Sequence, residues 1–427
     1  MKEININNFD EKLYYEKLDN GLEVFVVPLK NTKTYYVNLA VKFGGANRIF
    51  KLNGKEYIVP TGIAHFLEHK LFDRKDNPFD FYMKSGTDVN ASTNNDSTSY
   101  YIYGNSNFDD NLRYFLNWVT NFSITKEQVE KERGIILEES SMYKDIPNSV
   151  LYETLSSNLF VNHPYKDKAI GTDSDINSIT KEQLELCYRT FYRPDNMYLV
   201  AAGDINQDNF IKIVKEELKD YKRSNDVVEV LKIDEPNEVK KEYEEIQMPV
   251  EVNKLAIGYK MNRSLFKDIN IDRYTLDYYM QMILNMAFGS SSIFVEQMYL
   301  KNIVQSVTYE LVDIEDYYTF NFYVSTDKTK EFLEELNKYI KDLELDIDTF
   351  NRIIKLWVAS EVRMIDQAVS AAKNIIYDII DYGDFKNNKI KDIRNLDYNI
   401  LLEVYKKMDF SNKCIVNLIS NKEKTVA

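Results

Sequence analysis

The apolar positions of the chain change period several times, and each change marks an element. From Leu22 to Gly45, "LEVFVVPLKNTKTYYVNLAVKFGG", apolar and aromatic residues crowd two runs with a polar turn between them, which predicts two strands. "TGIAHFLEHKLF", Thr61 to Phe72, switches to helical spacing, with Thr61 expected as the N-cap just after Pro60. A polar strand region follows, "DVNASTNNDSTSYYIYG" (Asp88 to Gly104), and then a helix that begins near Asn107. Another helix, over Gln128 to Met142, is expected to carry Val129, Ile135, Ile136 and Met142 as its apolar stripe.

After a charged stretch from Lys232 to Gln247 that contains Pro236, the same grammar restarts at "KLAIGYKM". "YYIYGNSNFDDNLRYFLNWV" (Tyr100 to Val119) is echoed by "FNFYVSTDKTKEFLEELNKYI" (Phe320 to Ile340). "ITKEQVEKERGIILEE" (Ile124 to Glu139) is echoed by "IDTFNRIIKLWVASEV" (Ile347 to Val362). Both echoes lie about 220 residues downstream, the mark of a duplicated unit. At 427 residues the chain also exceeds what one hydrophobic core holds. The expected organisation is a first half over 1–225, a charged linker over 226–246 and a second, similar half over 247–427. The expected class is α+β, each half an antiparallel-rich sheet covered by helices.

Composition narrows the setting. Hydrophobic residues make up 44% of the chain, yet no apolar run reaches the ~20 residues of a membrane-spanning helix. The start, "MKEININNFDEKLYYEK", has neither an apolar signal core nor an arginine-rich transit pattern. Cys187 and Cys414 stand far apart in no metal-binding spacing, which fits a reducing compartment. A cytoplasmic protein without a membrane partner is therefore expected. A formal net charge of -14 repels phosphate backbones, so nucleic acid is not an expected partner either.

Against this background the histidines stand out: there are 3 in the chain, and two of them fall in the helix Thr61 to Phe72. At 100° per residue His65, Glu68, His69 and Phe72 share one face, and Ile63, Phe66 and Leu67 take the opposite one. Lys70 interrupts the apolar side, with its stem expected along a core edge and its ammonium outside. Imidazoles at i and i+4 can grip one zinc ion, and Glu68 points to the same side, where it can act on a water. The order, histidine, two residues, glutamate, histidine, inverts the commoner HExxH zinc helix. A chance match in so histidine-poor a chain would arise on the order of once in a thousand sequences. A catalytic zinc takes a third protein ligand. His163 is the remaining histidine, but Glu132 and Glu139, seven apart on the helix Gln128 to Met142 and within its apolar side, are better candidates. A buried carboxylate without a partner costs several kcal/mol, and a divalent cation removes that cost.

These residues resemble the pitrilysin/insulinase-type metallopeptidases, the HxxEH inverzincins that include mitochondrial processing peptidase and bacterial members of about 430 residues. "GIAHFLEHKLF" resembles the family's zinc helix, "VEKERGIILEES" its acidic helix and "DVNASTNNDSTSYY" its substrate strand. "NHPYKDKAIGT" and "FYRPDNMYLVAAGD" resemble two further blocks of the first half. The resemblance implies a clam-shell of two α/β-sandwich halves around a chamber, with zinc in the first half. It implies His65, His69 and Glu139 as metal ligands, Glu68 as general base, Glu132 as a carboxylate orienting the site, and a structural role for His163. Asn90, Ala91 and Thr93 would form the edge on which a peptide is laid as an added strand. In the second half Tyr309 fits a substrate-holding tyrosine, but Met298 to Asn302 offers no arginine where relatives often carry one. The function implied is a zinc metalloendopeptidase that hydrolyses or processes oligopeptides or flexible precursor segments. The alternative is a catalytically silent subunit that binds or scaffolds an active homologue. Either could act as a homodimer or a heterodimer with a homologous subunit.

Overall fold

The computed structural model describes residues 1–7 and 9–421. Its strands are, in order, β1 (Lys2–Asn5), β2 (Lys12–Lys17), β3 (Glu23–Pro28), β4 (Tyr35–Val41), β5 (Ile49–Leu52), β6 (Lys55–Ile58), β7 (Asp88–Thr93), β8 (Thr98–Gly104), β9 (Met197–Gly203), β10 (Val228–Val230), β11 (Tyr243–Met248), β12 (Lys254–Asn262), β13 (Ser306–Ile314), β14 (Tyr317–Ser325) and β15 (Lys413–Ser420). The helices are α1 (Ile63–Phe72), α2 (Pro78–Met83), α3 (Phe108–Thr120), α4 (Lys126–Lys144), α5 (Pro147–Leu159), α6 (Asp173–Ser178), α7 (Lys181–Phe191), α8 (Gln207–Glu217), α9 (Arg273–Phe288), α10 (Ile293–Leu300), α11 (Thr329–Lys341), α12 (Ile347–Ile365), α13 (Ala368–Tyr382), α14 (Lys389–Arg394) and α15 (Tyr398–Lys407). Among the described residues no helix is long and apolar enough to cross a membrane.

Two compact units result, and each is assembled from three segments. The first comprises Met1–Ser141, Asp167–Lys232 and Ser360–Ile390; the second comprises Met142–Lys166, Ile233–Ala359 and Lys391–Ala427. In the first, a seven-stranded sheet runs in the order β1-β2-β3-β9-β4-β8-β7, beside a three-stranded sheet β10-β5-β6. β4 is buried at every position, as a central strand must be, whereas β8 alternates between buried and half-buried residues because only one face is fully sealed. α3 helps seal the first unit's core with Leu112, Phe115, Leu116, Trp118 and Val119. The second unit holds a five-stranded sheet, β11-β15-β12-β14-β13, over a core that includes Ile257, Met280, Ile283 and Phe322.

The echo in the sequence has a counterpart in topology. Strands β3-β9-β4-β8-β7 and β11-β15-β12-β14-β13 follow the same order, with the first pair parallel and the other three antiparallel in both sheets. The helices that follow also match in length, 13 residues for α3 and α11 and 19 for α4 and α12. The next helix of each half is exchanged. α5 lays Leu151, Leu155 and Leu159 into a core with Ala256 and Val416 of β12 and β15, while α13 lays Ala371, Ala372 and Ile375 into one with Ala40 and Val200 of β4 and β9. The divisions at 225 and 246 run by chain order alone: β10 inside the expected linker pairs with β5, the boundary at 246 falls within β11, and the compact units exchange α5 and α13.

The charged stretch near residue 240 is more than a connection. Its end, Tyr243–Met248, is β11, paired in parallel with β15. Upstream, buried Glu235 binds Lys260 Nζ at 2.6 Å and accepts from the main-chain N–H groups of Val161, Asn162 and His163. Burial alone would raise the Glu235 pKa, but these donors hold it below the usual carboxylate value. On α4, Val129 and Ile136 are buried as expected, but Ile135 and Met142 are 44% and 52% exposed. Both lie on the far side of the helix from Val129, so the buried line runs through Val129, Glu132, Ile136 and Ser140.

The entry to α1 also differs from expectation. Its N-cap is Gly62 in the left-handed region at φ 82°, and the Thr61 hydroxyl is instead bonded to Asp175. A Cβ on Gly62 would lie 2.2 Å from the Ile170 carbonyl oxygen, and one on Gly171, also left-handed, 2.6 Å from the Thr61 carbonyl oxygen. The "TGIAH" and "AIGT" segments thus cross backbone to backbone, which only glycine permits. Replacing Gly62 or Gly171 with Ala should each lower unfolding free energy by at least about 2 kcal/mol. Urea denaturation of the two variants checks this, and unchanged midpoints would contradict a tight crossing.

Candidate metal centre

The crossing delivers α1 with Ile63, Ala64, Phe66, Leu67 and Leu71 buried on one side. Its other side turns His65, Glu68 and His69 towards α4 and β7, with the two imidazole rings 4.6 Å apart between centroids. α4 supplies the carboxylates. Glu139 Oε2 stands 3.3 Å from His69 Nε2 and 3.8 Å from His65 Nε2. Among the described residues these three, His65, His69 and Glu139, form a group whose ligand atoms all lie within 4.8 Å of one another. Two neutral imidazoles and one carboxylate are the donor set of a catalytic zinc with an open position, so the residues present fit that ion.

Glu132 sits one layer back. Its Oε1 is 3.0 Å from His69 Nδ1, so it holds that ring with Nε2 facing Glu139. His65 lacks such a partner: its buried Nδ1 meets no hydrogen-bonding group among the described residues. The environment separates the two rings chemically. Burial, reinforced by the neighbouring His69, pushes the His65 pKa down to about 4. Burial also works against charge on His69, but the hydrogen bonds to Glu132 and Glu139 outweigh it and lift that pKa to about 9.

Glu68 is buried, and this desolvation raises its pKa despite a hydrogen bond from Thr93 Oγ1 to Oε2 at 2.6 Å. Thr93 lies on β7, the outer strand of the seven-stranded sheet, which pairs only with β8. Asn94 N–H donates to the Ser97 carbonyl at the hairpin end, so by alternation Asn90 and Ser92 turn their main-chain groups to β8. Ala91 and Thr93 then turn theirs to the free edge. In keeping with this, Ala91 N–H is taken by the Asn90 side chain at 2.8 Å.

Other residues fall where the sequence did not point. Lys70 is buried with its ammonium, not only its stem. The Nζ bonds Asp73 at 2.5 Å and the Gln128 carbonyl at 3.2 Å, and lies 3.7 Å from Glu132. A lysine on the buried side of a helix, with an acid three residues on, was the available signal. Tyr309 belongs to the second unit, on β13, its ring edge-on to Phe320 at 6.1 Å. His163 is buried in that same unit, where its Nδ1 accepts from Tyr165 N–H.

Comparison with known proteins bears on this centre. The family described as "Insulinase (Peptidase family M16)" matches residues 30–173, and "Peptidase M16 inactive domain" matches 178–351. The uncharacterized zinc protease YmfH of Bacillus subtilis (strain 168) is 35% identical over 309 residues, 71% of this chain and 72% of that protein. Zinc protease PqqE of Helicobacter pylori is 30% identical over 213 residues, 48% of this chain and 46% of its own. The crystal structure of an M16-like peptidase from Alicyclobacillus acidocaldarius superposes with a TM-score of 0.89 at 24% identity, covering 96% of this chain and 99% of its own. The first-half match spans the helix that carries both histidines and the helix that carries Glu139, and the two relatives above are named zinc proteases. The chain therefore belongs to peptidase family M16, the insulinase family, whose zinc cofactor the donor set of α1 and α4 fits.

Proposed function

We propose that the chain is a zinc-dependent endopeptidase acting on oligopeptides or flexible precursor segments. His65, His69 and Glu139 hold the ion, which supplies Lewis acidity towards a water and the scissile carbonyl. The peptide adds to the free edge of β7, where Ala91 and Thr93 offer main-chain groups, and the Asn90 side chain releases Ala91 N–H to it. Glu68 takes the proton of the attacking water on its carboxylate and returns it to the leaving amine. Its burial suits that exchange, since desolvation raises the Glu68 pKa and so strengthens the carboxylate as a proton acceptor. Glu132 fixes His69, and Tyr309 of the second unit contributes to holding the substrate. The reading includes a cytoplasmic setting, supported by two buried free cysteines, and action alone or beside a homologous subunit.

One observation supports this reading most: the Thr93 hydroxyl ties the exposed sheet edge directly to the carboxylate of Glu68. A peptide on that edge lies beside the base by construction. Replacing Glu68 with Gln should leave about one zinc per chain and lower peptide cleavage at least ~10²-fold. Zinc content by atomic absorption and turnover of a fluorogenic peptide library check it. Unchanged cleavage contradicts Glu68 as base, and a parent chain that binds zinc yet cleaves nothing favours the silent-subunit alternative.

The split between the two imidazoles gives a second expectation. Between about pH 4 and 9 the metal-free centre carries a proton on His69 and none on His65. Zinc must displace that proton, so affinity rises with pH, by up to tenfold per unit, and levels off above about 9. Competition against a chromophoric chelator at pH 7 and 8 measures it. Equal affinities at both values would contradict proton displacement.

A further inference from the structure

The Lys70 ammonium lies beside the centre yet has no part in the reading above. It is a lysine with its side chain 1% exposed, one residue beyond a ligand. Taking an ammonium out of water costs several kcal/mol unless donors are fully used. Here it makes two hydrogen bonds, to Asp73 and to the Gln128 carbonyl, and a longer ion pair to Glu132 at 3.7 Å. Asp73 ends α1, and Gln128 and Glu132 lie on α4, the helix that also carries Glu139.

The geometry follows from this. The Gln128 carbonyl fixes the first turns of α4 against the end of α1. Glu132 is gripped from both sides, its Oε2 facing Lys70 at 3.7 Å and its Oε1 facing His69 Nδ1 at 3.0 Å. One carboxylate thus connects the lysine to the ring of a ligand, and the lysine connects the backbone of one ligand-bearing helix to the other. Lys70 thus joins the helix that carries His65 and His69 to the helix that carries Glu139.

We propose that Lys70 is a positioning residue of the metal centre, acting through Glu132 and the Gln128 carbonyl to set the register of α1 against α4 and so the zinc affinity. This rests on the reading that His65, His69 and Glu139 hold the zinc. Partners behind metal ligands are typically worth ten- to a hundredfold in affinity.

The test compares zinc affinity, by chelator competition on the full chain, in the parent, Lys70→Met, Lys70→Arg, Glu132→Gln and the double variant Lys70→Met with Glu132→Gln. Lys70→Met should bind zinc ten- to a hundredfold more weakly. Lys70→Arg, which keeps charge and donors, should recover most of the loss. In the Glu132→Gln background, Lys70→Met should cost clearly less than it does alone, because the two act in series. Should Lys70→Met alone fold poorly, the double variant removes both buried charges together: a zinc affinity equal to that of Glu132→Gln supports action in series, and a further ten- to hundredfold loss overturns it. Parent-like or tighter zinc binding by Lys70→Met, or an equal cost in both backgrounds, overturns the role of Lys70. A parent that takes up no zinc, or whose zinc survives replacement of His65 and His69 with Ala, overturns instead the reading on which it rests.

Discussion

Desolvation is the constraint from which the centre follows. α1 and α4 press two imidazoles, three carboxylates and an ammonium into a largely dry wall of the first unit, where charges cannot stand alone. Lys70 offsets Asp73 and Glu132. Glu139 and the two Nε2 atoms converge on one point, where a divalent cation would complete the balance. The same burial raises the Glu68 pKa and lowers that of His65, so one environment tunes both the candidate base and a candidate ligand.

The framework that imposes this constraint is a repeated one. Five strands in each sheet share order and sense, and the helices after them share length, yet the histidine pair occurs in one copy only. The first copy therefore carries the candidate metal ligands. The second presents β13, the topological counterpart of β7, with Tyr309 on it. Exchange of α5 and α13 commits Leu155 to a core with Val416 and Ala372 to one with Val200, so each sheet is covered by a helix from the other copy. Cutting the chain near residue 235 would leave both sheets with an uncovered apolar face.

Much of this was legible because periodicity and scarcity are sequence properties. The HxxEH spacing, the Glu132 and Glu139 pair, the polar strand region of β7 and β8 and the echo about 220 residues apart could be read from residue order, whereas the edge role of β7 came from the family resemblance. What was not legible depended on partners distant in sequence. Gly62 rather than Thr61 caps α1 because Ile170 crosses there, and Lys70 turns inward because Gln128 and Glu132 await it. Glu235 in the charged stretch is buried because Lys260 and three main-chain amides reach it. The hairpin β5–β6 was announced by Asn53 and Gly54, a strong turn signal inside a short alternating run, and is absent from the periodic reading. Ile135 and Met142 face the exposed side of α4, because at 100° per residue they fall well away from the line of Val129 and Ile136.

The central claim is that one zinc ion sits where α1 and α4 converge. Anomalous diffraction across the zinc absorption edge, on crystals of the full chain grown with zinc, addresses it directly. The account predicts a single strong peak bounded by His65 Nε2, His69 Nε2 and Glu139 Oε2. A peak held by other residues, or no peak there in zinc-loaded crystals, would contradict it.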